Sequence, residues 1–331
     1  MRTEHVNSAA LAEVFNAAIA AHAIAAAYEL GLLEELAGTD QLALDRFVLD
    51  RGLHGPTVQA ITRALEIVGV VQLDEHSVRP GTELPAALEN AAYFLWLTRG
   101  YRDLLVGLAD LAREPADGAR PVPRDTVAIA SAGRDYGHRL VDPVLFPLLD
   151  RLAPRCVADL GCGSAERLIQ LARSDSKFHG VGVDISDQVV TQARANVREC
   201  GVADRVEVIA ADAAQLESRD EFSPVDLVMS CFMAHDLWPR ESCLRSLRGI
   251  RRAFPHALHL VICDTHRSGP PGVAGTPIFT LGFELTHAAM GQYIPTAEEW
   301  LDTFVEGGWI CVERHEIKIP FSTIFVLRPT G

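Results

Sequence analysis

The chain reads as an α/β protein in which a parallel sheet, covered by helices on both faces, follows a separate helical region. Three observations predict this. Over residues 155–328, short apolar and β-branched runs alternate with helical patterns of 10–15 residues, as buried parallel strands require. Residues 9–110 instead carry helical spacing with one short alternating segment. The length of 331 residues exceeds one ordinary hydrophobic core and fits such a division. Three stretches are expected: a helical domain over 1–110, a linking segment and pocket lid over 111–150, and the α/β domain over 151–331.

In the first stretch, residues 9–37 are Ala-rich, and Leu11, Val14, Phe15, Ala18 and Ile19 fall on one helical stripe. Gly31 and Gly38 punctuate it. Helical patterns follow at 42–51 and 56–68, the second opened by Pro56 at a first-turn position. The segment Val70–Val78 alternates around a polar turn and predicts a small hairpin. Helices with a hairpin make a winged-helix outline, which in a regulator would read DNA. Residues 1–90, however, hold 13 acids against 5 Lys or Arg, and the whole chain has 44 against 30, a net charge of −14. Such a surface has little with which to displace counterions from a phosphate backbone, so nucleic acid is excluded as a partner. The apolar stripe is better explained by a homodimer. Residues 114–124 (EPADGARPVPR) are rich in Pro and Gly and read as a linker or a loop over a pocket.

Strands are expected at 155–160, 179–184, 205–210, 225–231, 257–264, 308–317 and 321–328, with helices at 165–174, 187–200, 240–253 and 296–306. The last two strands leave no room for a helix between them and should be antiparallel. No run of 18 apolar residues appears, and the start (MRTEHVNSAA) lacks a basic-then-apolar leader, so no membrane partner is expected. The seven cysteines are odd in number and contain no CxxC pair, which reads as reduced thiols of a cytoplasmic protein.

The first chemical signal is Val157–Leu168 (VADLGCGSAERL). A strand ends in an acid, turns through Gly161 and Gly163, and enters a helix whose free N–H groups can face a ligand. Asp184 ends the next strand, 21 residues after Gly163, where a carboxylate can accept both ribose hydroxyls. Asp212 follows the third strand beside Ala213, where it can meet an adenine amino group. A dehydrogenase fingerprint would need glycine at position 166, which is Glu. Asp159, Asp184 and Asp212 at this spacing resemble the class I S-adenosylmethionine-dependent methyltransferases, with D-x-G-x-G-x-A for the usual final glycine. The resemblance implies a Rossmann-like seven-stranded sheet with an antiparallel last strand. It also extends the cofactor site to Ala213, Cys231, Arg134 and Tyr136.

Two further blocks narrow the resemblance: Cys231–Glu241 (CFMAHDLWPRE) and Phe279–His287 (FTLGFELTH). Together with the helical N-terminal domain, they resemble the winged-helix, metal-dependent α-keto acid C-methyltransferases, such as those acting on phenylpyruvate C3. That family makes β-methyl amino-acid precursors of peptide natural products. The resemblance implies an iron or zinc ion held by His235 and His287, with Asp236 as a ligand, a water-holder or a base. It implies Arg124 as the partner of the substrate carboxylate. Trp96, Phe232, Met233, Phe279 and Phe283 are then expected to line the substrate pocket. The chemistry is coherent, because C3–H of a keto acid is a weak acid and a Lewis acid at its oxygens makes deprotonation feasible. Two alternatives stay open: an O-methyltransferase with His235 as general base and no metal, and a dimeric ligand-binding protein without turnover.

Overall fold

The computed structural model describes residues 9–74, 77–113, 122–269 and 276–330. The tip of the expected hairpin, 75–76, and most of the Pro/Gly-rich linker, 114–121, lie outside the described residues. The chain divides into two compact units, one of residues 1–107 and 123–139, the other of 108–122 and 140–331. The expected linking segment 111–150 is therefore not a separate body but is shared between the two units.

The elements of the first unit are α1 (Ala9–Glu29), α2 (Leu32–Ala37), α3 (Leu44–Asp50), α4 (Gly55–Ile67), β1 (Val71–Leu73), β2 (Val78–Pro80), α5 (Leu84–Leu95) and α6 (Arg102–Val106). The helix α7 (Leu108–Arg113) belongs to the second unit, and α8 (Thr126–Tyr136) returns to the first. Gly31, at φ 72°, breaks α1 from α2, as its left-handed backbone allows. The strands β1 and β2 pair antiparallel with Leu73 opposite Val78. Leu32, Leu33, Leu36, Phe47, Leu65 and Ala91 form the centre of this unit's core. By length and composition α1 is a helix that could cross a membrane. Its C-terminal half is nonetheless packed through Ala20, Ala23, Ile24, Ala25 and Ala27, whereas Leu11, Val14 and Phe15 are exposed.

In the second unit, α9 (Asp142–Leu152) leads into β3 (Cys156–Leu160), α10 (Glu166–Ser174), β4 (His179–Asp184), α11 (Asp187–Glu199) and β5 (Val206–Ala210). There follow β6 (Leu227–Cys231), α12 (Arg240–Ala253), β7 (His259–Thr265), α13 (Thr280–Ala289), α14 (Ala297–Glu306), β8 (Trp309–Glu316) and β9 (Ser322–Pro329). They form a seven-stranded sheet in the order β5-β4-β3-β6-β7-β9-β8. The strands are parallel except that β9 runs antiparallel to both β7 and β8. Every residue of β3 is buried, the pattern of a central strand covered on both faces. Phe222, Phe254, Trp300, Phe304, Trp309 and Phe325 pack around it in one apolar cluster. From β3 the chain winds outward through β4 and β5, then returns to start β6 on the other side. That reversal opens a crevice at the carboxyl ends of β3 and β6, where open α/β sheets bind ligands.

Candidate active site

The glycine turn leaves β3 at the crevice. Gly161 has φ 75° and donates its N–H to the Val183 carbonyl at 2.8 Å. A Cβ there would sit 2.8 Å from Met233 Cγ, so the turn can pass beneath Met233 only as glycine. Gly163, at φ 54°, donates its N–H to Asp184 Oδ2 at 3.2 Å, and Asp184 Oδ1 accepts from the Ser186 N–H at 3.0 Å. The carboxylate of Asp184 thus ties the turn to the end of β4. Ala165, where the family pattern has glycine, keeps the left-handed backbone at φ 61° and buries its methyl completely. Asp212 Oδ1 accepts from the Ala214 N–H at 2.8 Å, and Oδ2 accepts from Gln215 Nε2 at 3.1 Å, at a short helical turn that begins with Ala213. Asp159 is almost wholly enclosed, 3 % exposed. Burial pushes its carboxyl up to about 7, Arg167 opposes the rise, and Asp184 and Asp142 add to it.

The second cluster lies beyond β6 and on α13. His235, on a short helical turn after Phe232 and Met233, donates its backbone N–H to Asp264 Oδ2 at 2.9 Å. Its ring Nδ1 lies 2.7 Å from Asp264 Oδ1, and that oxygen also accepts from the Thr265 N–H at 2.7 Å. His287, on α13, places Nδ1 2.6 Å from the Phe283 carbonyl. A carbonyl or a carboxylate can only accept, so the neutral form of each ring carries its proton on Nδ1 and its lone pair on Nε2. The two imidazoles stand 5.0 Å apart at 77°. Phe283 packs against both, 3.9 Å from His287 and 5.5 Å from His235 between ring centres. Phe279 continues the row 5.1 Å from Phe283. Phe232 and Phe279 both hold positive φ, 54° and 76°, at the starts of the two histidine-bearing segments. Backbone strain in bulky residues concentrates at functional sites. Asp236 Oδ1 accepts from Gln292 Nε2 at 2.6 Å and lies 3.7 Å from His235 Nε2.

A methyltransferase-domain family profile matches residues 157–254. The chain is 37% identical over 328 residues to methyltransferase ungE' of Aspergillus campestris (strain IBT 28561), covering 96% of each chain. It is 33% identical over 335 residues to indolepyruvate C-methyltransferase of Streptomyces griseus, covering 98% of this chain and 96% of the relative. The chain belongs to the S-adenosylmethionine-dependent methyltransferases. The fold agrees: the apo structure of the S-adenosylmethionine-dependent methyltransferase SibL superposes with a TM-score of 0.67 at 17% identity, over 98% of this chain and 99% of that one.

In this methyltransferase the expected site residues fall into two groups. Gly161, Gly163, Asp184, Asp212, Cys231, Phe232, Met233, His235, Asp236, Phe279, Phe283 and His287 all lie in the second unit. Cys231 closes β6 opposite Cys263 of β7. Trp96, Arg124, Arg134 and Tyr136 lie in the first unit. There Trp96 is buried 4.3 Å from Tyr101, Tyr136 is buried 5.6 Å from Tyr93, and Arg124 precedes the Asp125 cap of α8. The donor chemistry of His235 and His287 fits a metal ion, since both offer Nε2 lone pairs and have Nδ1 anchored. The three-ligand set His235, Asp236 and His287 is not assembled: among the described residues no group of three His, Cys, Asp or Glu is placed to hold a metal. The Asp236 carboxylate accepts from the Gln292 amide. Asp264 and Gln292 escaped the sequence reading. Asp264 closes the strand expected at 257–264, as Asp184 closes the one at 179–184, and that shared placement was the signal; Gln292 had none.

Proposed function

We propose that this methyltransferase methylates C3 of an α-keto acid, with His235 and His287 holding an iron or zinc ion. The observation that carries the reading is the pair of imidazoles, perpendicular and 5.0 Å apart, each locked through Nδ1. Its support from outside the chain is the Streptomyces griseus relative, named for C-methylation of indolepyruvate. When bound, the ion acts as a Lewis acid toward the keto and carboxylate oxygens and acidifies C3–H. S-adenosylmethionine supplies the electrophilic methyl group. The chain's own residues position the reactants. The Gly161–Gly163 turn, Asp184 and Asp212 bind the cofactor at the ends of β3, β4 and β5. Asp236, oriented by the Gln292 amide, takes the C3 proton. The product is a 3-methyl keto acid, the skeleton of a β-methyl amino acid suited to peptide natural products. The enzyme is proposed to be a cytoplasmic homodimer, supported by seven free thiols and by the exposed stripe of Leu11, Val14 and Phe15 on α1.

The test is metal analysis of the purified protein, with methylation of phenylpyruvate and of a branched aliphatic keto acid followed by mass spectrometry. Stoichiometric iron or zinc, and loss of carbon methylation both on chelation and in a His235→Ala/His287→Ala double variant, are the expected results. Full turnover without metal would overturn the reading. It would point to O-methylation with His235 as general base, which the 2.7 Å contact of His235 with Asp264 favours.

A further inference from the structure

The two imidazoles ride on segments far apart in the chain, and two links join those segments beside them. Each segment first folds back on its own histidine. The Trp238 N–H donates to the His235 carbonyl at 3.2 Å, and the Gln292 N–H donates to the His287 carbonyl at 2.9 Å. The folded-back ends then meet. Gln292 Nε2 donates to Asp236 at 2.6 Å, and the Trp238 indole stacks on the Tyr293 ring, 5.5 Å between centres at 29°. The first link is open to competition from water, since the Asp236 side chain is about half exposed. The stack needs no hydrogen bond between its rings, so water does not compete with it in that way.

Both rings of the stack are themselves fixed. Trp238 meets the completely buried Trp300 edge-on, 5.4 Å between centres at 87°. Its Nε1 is buried and has no hydrogen-bond partner among the described residues, so ring packing alone places the indole. The Tyr293 hydroxyl donates to Glu299 Oε1 at 2.6 Å and accepts from Arg267 Nη2 at 3.3 Å. The Arg267 guanidinium also lies 5.3 Å from the centre of the Tyr293 ring. Tyr293 is thereby tied to the first turn of α14 and to the segment that follows β7.

We infer that Trp238 and Tyr293 are positioning residues of the histidine pair: their stack sets the separation of His235 and His287, and with it the affinity of the pair for a divalent ion. The affinity part rests on the proposed function; the separation part does not. Metal sites depend on the groups that orient their ligands, and losing such a group weakens binding by about 10–100-fold. Here the orienting group acts at one remove, through the carbonyls of the two histidines and the backbone between.

The experiment compares the wild-type full chain with Tyr293→Ala, which removes the ring, and Tyr293→Phe, which keeps it. Zinc affinity is read by competition with a chromophoric chelator, and the spacing of the imidazoles by crystal structures of the metal-free proteins. Tyr293→Ala is expected to bind zinc about 10–100-fold more weakly, with the imidazoles displaced from their 5.0 Å spacing. Tyr293→Phe is expected to retain most of the affinity and the wild-type spacing, and affinity for S-adenosylhomocysteine is expected to hold in both variants. A Tyr293→Ala protein with wild-type spacing overturns the inference. So does a loss in Tyr293→Phe as large as in Tyr293→Ala, because the hydroxyl and not the stack would then be responsible. If Tyr293→Ala does not fold, Tyr293→Leu takes its place. Failure of both to fold also overturns the inference, since the ring would then support the whole unit and not the pair. If the wild type takes up no zinc, the proposed function fails in its metal, and the metal-free spacing alone decides this inference.

Discussion

Asp159 shows how one residue can serve two readings. In the sequence it is the acid that ends a strand before a glycine turn, and as such it helped mark the cofactor site. In the fold it is closed off, with Arg167 and Asp142 joined at 2.8 Å beside it. Its carboxyl keeps a proton to about pH 7, whereas an ordinary one releases it near 3.8. Between those values the folded state binds more protons than the unfolded state, so this group's contribution to stability declines as pH rises from about 4 to about 7. Asp159→Asn removes that decline. The variant's stability relative to wild type, from urea midpoints, is expected to improve between pH 5.5 and pH 8, by on the order of 1–3 kcal/mol. An unchanged difference would show that Asp159 is not held protonated. The local motif was legible because glycines, acids and their spacing are sequence properties. Burial was not, because it depends on the helices that close over the strand.

At the scale of elements, every strand expected in the second unit is present, with ends shifted by no more than about two residues. Periodicity and turn residues determine such elements locally. The helix α14 is an example. Thr296 Oγ1 accepts from the Glu299 N–H at 3.2 Å, and Glu299 Oε2 accepts from the Thr296 N–H at 2.7 Å, a reciprocal cap. It starts the helix whose buried face carries Trp300, Thr303 and Phe304 into the core. Thr296→Ala is expected to cost about 1 kcal/mol in urea unfolding and to leave turnover unchanged, because α14 carries none of the histidines. A much larger loss, or a loss of turnover, would give the cap a role in the site. Less legible was the widened turn of π-helical spacing at Trp96–Gly100, which continues α5 without a break that pattern alone reveals. The row Phe279, Phe283, His287 was legible in spacing, four residues apart on one helical face. That Phe283 also packs against His235 was not.

For the whole molecule, the charge of −14 and the helical first unit pose one question about assembly. Leu11, Val14, Phe15 and Ile19 are each more than half exposed, a contiguous apolar stripe of the kind that marks an interaction surface. If the proposed dimer forms through this stripe, the wild type is expected to run as a dimer in light scattering and a Leu11→Glu/Phe15→Glu double variant as a monomer. A dimer in both would place the interface elsewhere. The net charge of −14 makes the site's own chemistry matter more, since the anionic keto acid proposed as substrate would have to find its positive charge locally.

The sequence by itself determined the α/β order, the antiparallel closing strands, the glycine turn and the two histidine blocks. Each of these depends on neighbours within about twenty residues, through backbone preference, alternation and helical spacing. Tertiary structure decided which side chains answer one another. Residues 123–139 pack with the first unit, and Gln292 donates to Asp236 across 56 residues of chain. Asp264 meets His235, 29 residues away in the chain, because β6 and β7 pair in one register. Strand register is settled by the packing of the whole sheet, and no local pattern encodes it.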